Sequence, residues 1–295
     1  MKTLYLECGM GAAGDMLMAA LLELIPDKQA FIDKMNTLNL PGVHVEAEKA
    51  VKCGITGTHM KVTVDGEEEE SMDVHEHHHE HHHDHAHDHE HHHDHEDHPH
   101  DHDHEHHHHH HHTSVADIEG IIDGLDVSDR VKADVKAVYA LIAEAESRVH
   151  GHPISEIHFH EVGTLDAVAD VVGVCLLMDK IGAEKVVASP VHVGAGHVHC
   201  MHGILPGPAP ATALRLNGIP TFGGQVQGEL CTPTGAALLK HFVSRFGDRP
   251  IMATEAIGYG MGKRTLSGPT ACGLSWAKAK EPWSRSPAWN AIWTI

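Results

Sequence analysis

Of the 36 histidines in this 295-residue chain, 25 fall between His75 and His112, interleaved with 11 Asp and Glu. Imidazole suits nickel, copper and zinc, carboxylates complete octahedral or square-planar shells, and such tracts are a compositional sign of metal binding. Candidate ligands are His77, His78 and His79, then His81, His82 and His83, then His91, His92 and His93, and the opening of the long run, His106, His107 and His108. Ala86 and Pro99 are the tract's only apolar side chains, so it cannot offset the entropy of ordering; a disordered insert is expected. Composition favours a borderline transition metal over magnesium or calcium but does not choose one, because affinity order alone would select copper. An engineered tag or inert linker is the competing reading. The internal position and the varied HxH, DHDH and HEHHH spacings favour native metal handling.

Outside the tract, the densest chemistry lies in Ile157 to Asp170. In an extended segment His158 and His160 share a face, and Thr164 is placed to start a helix on which Asp166 and Asp170 align at i and i+4. With Glu161, these residues offer two imidazoles and up to three carboxylates to one site. Otherwise Asp166 answers the helix dipole, Asp170 makes a surface pair and the histidines satisfy backbone groups. A second cluster, His197, His199, Cys200 and His202, sits in an alternating run and carries borderline and soft ligands suited to passing metal; ordinary histidines on a strand edge are the alternative.

Anion contacts are expected at three glycine-rich or capped turns. Thr3 to Cys8 reads as a strand running into Gly9-Met10-Gly11-Ala12-Ala13-Gly14 and a helix from Asp15 to Ile25, so Gly11 and Gly14 are candidates to bring backbone N–H groups to a phosphate. The spacing matches GxGxxG, but no acid closes a second strand, which disfavours a dinucleotide; a structural tight turn also fits. Thr232-Pro233-Thr234-Gly235 begins a helix with Thr232 as N-cap and Pro233 at its first position, and Thr232 with Thr234 is a candidate anion contact beside the plainer reading of a capped helix. The loop Ile257 to Arg264 is glycine-rich and basic, with Lys263 suited to an anionic ligand. No GK[ST] motif follows, which tells against a metal-centre GTPase.

The elements that must carry these residues are legible in part. Lys28 to Asn36 looks helical, and Val43 to Ala50 with Ile55 to Val64 alternate as two strands. Ser114 caps a helix through Ile122, and Asp126 or Ser128 another through Arg148, with Val131, Val135, Val138, Leu141, Ile142 and Ala145 on one stripe. The fold class expected is α/β to α+β, short strands with packed helices, interrupted by the long disordered His-rich insert. The division expected is an N-terminal part over 1–64, the insert over 65–112, a main part over 113–265 and an atypical tail over 266–295 that holds all four tryptophans.

The net charge of −21 is local: Asp65 through Glu105 supply 17 acids and no base. That argues against a nucleic-acid or membrane-surface partner. Six scattered cysteines without a CxxC pair indicate neither a disulfide framework nor a zinc ribbon. With no signal peptide and no apolar run long enough to span a bilayer, a cytoplasmic location is expected.

Taken together, Tyr5 to Cys8 with Gly11 to Met16, the HFHEVGTLDA block, the SPVHVGAG and HGILPGPAPAT blocks, ELCTPTGAAL and IGYGMGKR resemble the LarC family of nickel insertion proteins. The resemblance implies CTP-dependent cyclometallation, with Mg2+ or Mn2+ accompanying CTP. Nickel enters pyridinium-3,5-bisthiocarboxylic acid mononucleotide, and the pincer product serves lactate racemase and related enzymes as recipients. It implies Ni2+ as the metal of the tract, Glu161 or Asp166 as base, and glycine loops that hold the mononucleotide phosphate. Glu7 stands where the family usually has Asp. Family members continue into a CTP-binding, oligomerising domain, whereas here the resemblance stops near Thr265. A product of the unshifted reading frame, in a family whose two frames are joined by a frameshift, is the expectation, with that domain as partner and a homo-oligomer as a further one. A non-catalytic nickel storage or chaperone protein is the alternative.

Overall fold

A computed structural model describes residues 2–68, 113–159, 161–200, 203–263 and 274–280. Expectations placed on the histidine tract, on His160 and His202 and on most of the tail lie outside the described residues, as does the side chain of His199. The N-terminal elements are β1 (Thr3–Leu6), α1 (Gly14–Leu22), α2 (Lys28–Met35), β2 (Val43–Lys52) and β3 (Ile55–Val64). After the tract come β4 (Thr113–Ser114), α3 (Val115–Gly124), α4 (Asp129–His150), β5 (His158–Phe159) and α5 (Leu165–Ile181). Short strands follow: β6 (Lys185–Ala188), β7 (Val191–His192), β8 (Gly194–Ala195), β9 (His197–Cys200) and β10 (Gly203–Pro206). The chain continues through α6 (Pro210–Arg215), β11 (Thr221–Phe222), β12 (Gly228–Glu229) and α7 (Pro233–Phe242), then β13 (Arg245–Phe246), β14 (Ala253–Ala256), β15 (Tyr259–Gly260) and β16 (Leu274–Lys280).

The mixed α/β class expected from the sequence is the one observed. One mixed sheet runs β13-β6-β1-β16-β15-β3-β2, with β14 also paired to β16. In it β1 runs parallel to β6 and antiparallel to β16, so Leu274–Lys280 is a central strand, although that segment falls in the stretch set apart as the tail. Four two-stranded pairs complete the β-structure of the described residues, among them β9 with β10 and β4 with β5.

Helix α1 is apolar all round, and every one of its residues except Asp15 is buried. A helix of that character belongs at the centre of the fold. Each large side chain it buries contributes about 1.5–3 kcal/mol. Its neighbour α5 approaches closely through glycine: a Cβ on Gly173 would lie 2.2 Å from Met18 Sδ, and one on Gly14 would lie 2.7 Å from Asp170 Cβ. The α4 stripe is as expected, with Val131, Val135, Val138, Ile142 and Ala145 buried. At its edge Leu141 is half-buried.

Helix starts follow their capping residues. Ser114 and Asp117 form a reciprocal capping box on α3, and Ser128 rather than Asp126 caps α4. Thr232 caps α7 with Pro233 at its first position. Helices α4 and α5 end on Gly151 and Gly182 in the left-handed conformation, as the missing Cβ allows.

Candidate functional site

The glycine loop after β1 is laced to the segment that opens α7. Gly11 N–H donates to Cys8 O at 2.9 Å, Ala12 N–H to Leu230 O at 3.0 Å, and Thr232 N–H back to Ala12 O at 3.0 Å. Gly11 has φ +85°, and a Cβ there would stand 1.8 Å from Leu230 O; one on Gly235 would stand 2.1 Å from Ala12 O. These two glycines are therefore required by backbone approach as well as by the turn. Thr232 Oγ1 accepts from Gly235 N–H at 3.2 Å, which makes the cap, and lies 3.0 Å from Thr234 Oγ1.

Beside this loop, α1 and α5 each bring carboxylates to their first turns. Asp15 stands next to Gly14, whose bare Cα lets the Asp170 side chain lie over it, with Oδ2 2.8 Å from where a Cβ would be. Asp166, one turn before Asp170, accepts from Thr164 Oγ1 at 2.5 Å. The same hydroxyl is 2.8 Å from Glu161 O and serves one acceptor at a time. Asp15 and Asp170 keep a margin of surface, yet the Asp170 carboxyl is sunk: its Oδ1 has no solvent contact and no hydrogen-bond partner. Burial, then the charges of Asp15 and Asp166, hold Asp170 well above the usual carboxylate range, against a smaller pull from Lys263 and the Asp15 N–H. Burial also raises Asp15, and the Met16 N–H, His59, Lys263 and Lys52 oppose it without prevailing. Tyr139 of α4 is held far above its ordinary value by burial and by Asp166 and Asp170, so its hydroxyl stays protonated and donates to Val162 O at 3.2 Å.

The basic loop lies along the other flank of α1. A Cβ on Gly260 would come 1.9 Å from Met16 O, and one on Gly258 2.2 Å from Ala20 O, so these glycines serve close backbone packing. His59 Nδ1 is 2.9 Å from Met261 O, and Lys52 Nζ donates to Gly262 O at 2.5 Å. Lys263 Nζ lies 3.0 Å from Glu68 Oε1. Glu68 is the last described residue before the histidine tract. The chain re-enters at Thr113, which pairs with Phe159 and would be 3.2 Å (its Cβ) from a Cβ on Gly163. One root thus pairs with Lys263, whose charge reaches Asp15 and Asp170, and the other lies beside the turn that leads into α5.

The remaining expected residues are distributed as follows. His158 is exposed on β5, opposite Ser114, and acts electrostatically on Asp117. Glu161 is exposed in a one-turn 3-10 helix just before α5. His197 is exposed on the β9–β10 hairpin, and Cys200 Sγ is 3.5 Å from Gly203 O in the same hairpin. Among the described residues no group of three His, Cys, Asp or Glu stands where it could hold a metal ion.

Two further residues were not singled out by motif. Asp15 is one, although an acid directly after a glycine loop and at a helix start was a visible signal. His192 is the other: it is buried, its Nδ1 accepts from Gly194 N–H at 3.2 Å, and a Cβ on Gly224 would come 2.2 Å from its Nε2. That hydrogen bond assigns the proton to Nε2, and burial lowers its pKa, so the ring is a neutral donor. Its own N–H donates to Cys8 O at 3.1 Å, which ties it to the glycine loop.

A family model described as "Nickel insertion protein" matches residues 4–285. A protein of Clostridium acetobutylicum is 43% identical over 270 residues, covering 91% of this chain and 62% of its own length. One from Clostridium kluyveri is 39% identical over 274 residues (91% and 60%), and one from Acetivibrio thermocellus 37% over 285 residues (95% and 62%). All three are named pyridinium-3,5-bisthiocarboxylic acid mononucleotide nickel insertion protein. The chain spans about three fifths of the length of these relatives. No solved structure matches it. Among the described residues no helix is long and apolar enough to cross a membrane.

Proposed function

The chain belongs to the nickel insertion protein family, and on that premise we propose that it receives Ni2+ and delivers it to pyridinium-3,5-bisthiocarboxylic acid mononucleotide, the substrate in its relatives' names. The histidine tract gathers the ion. The glycine loop and the start of α7 face the mononucleotide phosphate, where N–H groups and helix dipoles favour an anion. When nickel bonds to ring carbon, a C–H bond breaks, its electron pair forms the carbon–nickel bond and the proton passes to a carboxylate. Asp166 and Glu161, at the entrance to α5, are the residues assigned that task. CTP with Mg2+ or Mn2+ is the proposed energy source, and nickel-pincer enzymes the recipients.

What supports this reading is that the glycine loop is hydrogen-bonded to the capped start of α7, the Asp170 carboxyl lies over Gly14 at the end of that loop, and the roots of the tract lie against Lys263 and the turn before α5. Storage of nickel alone requires neither of the first two. The test is to incubate the purified chain with Ni2+, CTP, Mg2+ and the pyridinium mononucleotide, and to follow the nickel-containing product by mass. Product formed by this chain supports catalysis. No product from it, with product restored by adding the segment that only the relatives contain, assigns it the nickel-supplying role; no product in either case rejects the reading.

A further inference from the structure

We propose that His59 and Glu68 form a binding site for a divalent transition ion of the nickel class, at the point where the histidine tract leaves the body. His59 lies on β3, where its Nδ1 is 2.9 Å from Met261 O. A carbonyl only accepts, so in the neutral ring the proton sits on Nδ1 and Nε2 carries a lone pair. Histidines that ligate metals are held in this way, one N–H on a backbone carbonyl and the other nitrogen bare. The carbonyl is itself fixed. Met261 N–H donates to Thr58 O at 2.8 Å, and Gly57 lets the two segments close, since a Cβ there would stand 2.6 Å from Tyr259 O.

The carboxylate reaches the same place by a tight turn. Asp65 and Gly66 have φ +53° and +87°, Val64 N–H donates to Glu67 O at 2.8 Å and Glu67 N–H to Val64 O at 3.0 Å, which turns the chain back on the end of β3. Glu68 follows, with Oε1 4.0 Å from His59 Nε2. Bonds from a metal to imidazole nitrogen and to carboxylate oxygen are each about 2 Å, so two ligands of one ion stand between about 3 Å (at a right angle) and about 4 Å (opposed). The pair already lies within that span. Glu68 Oε1 has no solvent contact and no hydrogen-bond partner; Lys263 Nζ, 3.0 Å away, is an ion pair without hydrogen-bond alignment. That ammonium ends a half-exposed side chain and turns into water at little cost when a dication takes its place. Imidazole with carboxylate suits nickel, copper and zinc rather than magnesium. Two protein ligands leave the other positions to water and to an incoming acceptor, as a site that passes its ion on requires. A protonated His59 paired with Glu68 is the competing arrangement, and it leaves no lone pair for a metal.

The test uses the full chain near neutral pH, with free Ni2+ set by a chelator buffer so that uptake by the tract does not alter it. Diethyl pyrocarbonate modifies unprotonated imidazole nitrogen, and the His59 side chain keeps 16% of its surface for the reagent. His59 is also the one histidine of the tryptic peptide 53–61, so mass spectrometry reads its labelling apart from the tract. Ni2+ is expected to protect His59 at a lower free concentration than it protects the exposed His44, and Mg2+ to protect neither. Glu68→Gln is expected to raise the Ni2+ concentration for half-protection by at least about tenfold, since loss of a ligand's hydrogen-bonding partner alone costs about 10- to 100-fold. Shielding of His59 by the loaded tract would leave that concentration unchanged in Glu68→Gln. No protection in wild type, protection only together with His44, or equal half-protection in Glu68→Gln would overturn the proposal; the wild-type arm decides by itself should the variant not fold. The site rests on the reading that the chain receives Ni2+, and the two fail separately: product formed without protection of His59 sinks the site alone, and protection without product sinks the reaction alone.

Discussion

Asp170 brings a sunken carboxyl to the contact between α1 and α5. Burial, then Asp15 and Asp166, push its carboxyl well above the usual range, so the folded chain gives up that proton at higher pH than the unfolded chain does. A group with a raised native pKa contributes stability that is complete below its unfolded value, about 3.9, and that is lost as pH rises through the native value. Thermal melts in chelator-treated buffer should therefore show wild-type protein losing ground to Asp170→Asn as pH rises above about 4, with the two converging at lower pH. A constant difference in Tm across that range would contradict the assignment. The i, i+4 alignment of Asp166 and Asp170 was legible in the sequence because it is local to one helix. The Asp15–Asp170 contact was not, since it depends on α1 and α5 closing through Gly14 and Gly173, residues 159 positions apart. His192 escaped notice for a related reason: its Nδ1 bond to Gly194 and its approach to Gly224 follow from loop conformation, which leaves no periodic trace.

Helix starts were the most readable elements. Ser114, Ser128 and Thr232 were each recognisable as caps from one residue and its neighbours, because a cap satisfies donors within three positions. The long pair β2 and β3 was equally plain in its alternation. Strands of two residues, such as β7, β8, β11 and β12, are too short to carry a period, and the order of strands in the main sheet depends on contacts distant in sequence. The capping box on α3 has a further use, for it anchors the chain where the tract returns to the fold. Ser114 Oγ accepts from Asp117 N–H at 3.2 Å, and Asp117 accepts from the Ser114 backbone N–H at 2.9 Å. Ser114→Ala should lower unfolding stability by about 1 kcal/mol in urea titration. An unchanged midpoint would mean that the β4–β5 pairing, not the cap, fixes this root.

At the scale of the whole molecule, the proposed division of labour is between a histidine-rich tract that would collect metal and a body that would direct it. The surplus of negative charge is concentrated at the tract, between Asp65 and Glu105, which draws dications toward the region where the chain leaves and re-enters the body. The body offers carboxylates on two helices, beside a glycine loop tied by backbone bonds to the start of α7. Its central claim is that the body itself has affinity for nickel. Calorimetric titration of Ni2+ into the intact chain and into a variant with residues 75–112 replaced by a short Gly/Ser linker tests this most directly. The account predicts that many weak sites disappear while a single tight one survives. A folded, tract-less variant with no remaining affinity for Ni2+ would contradict it.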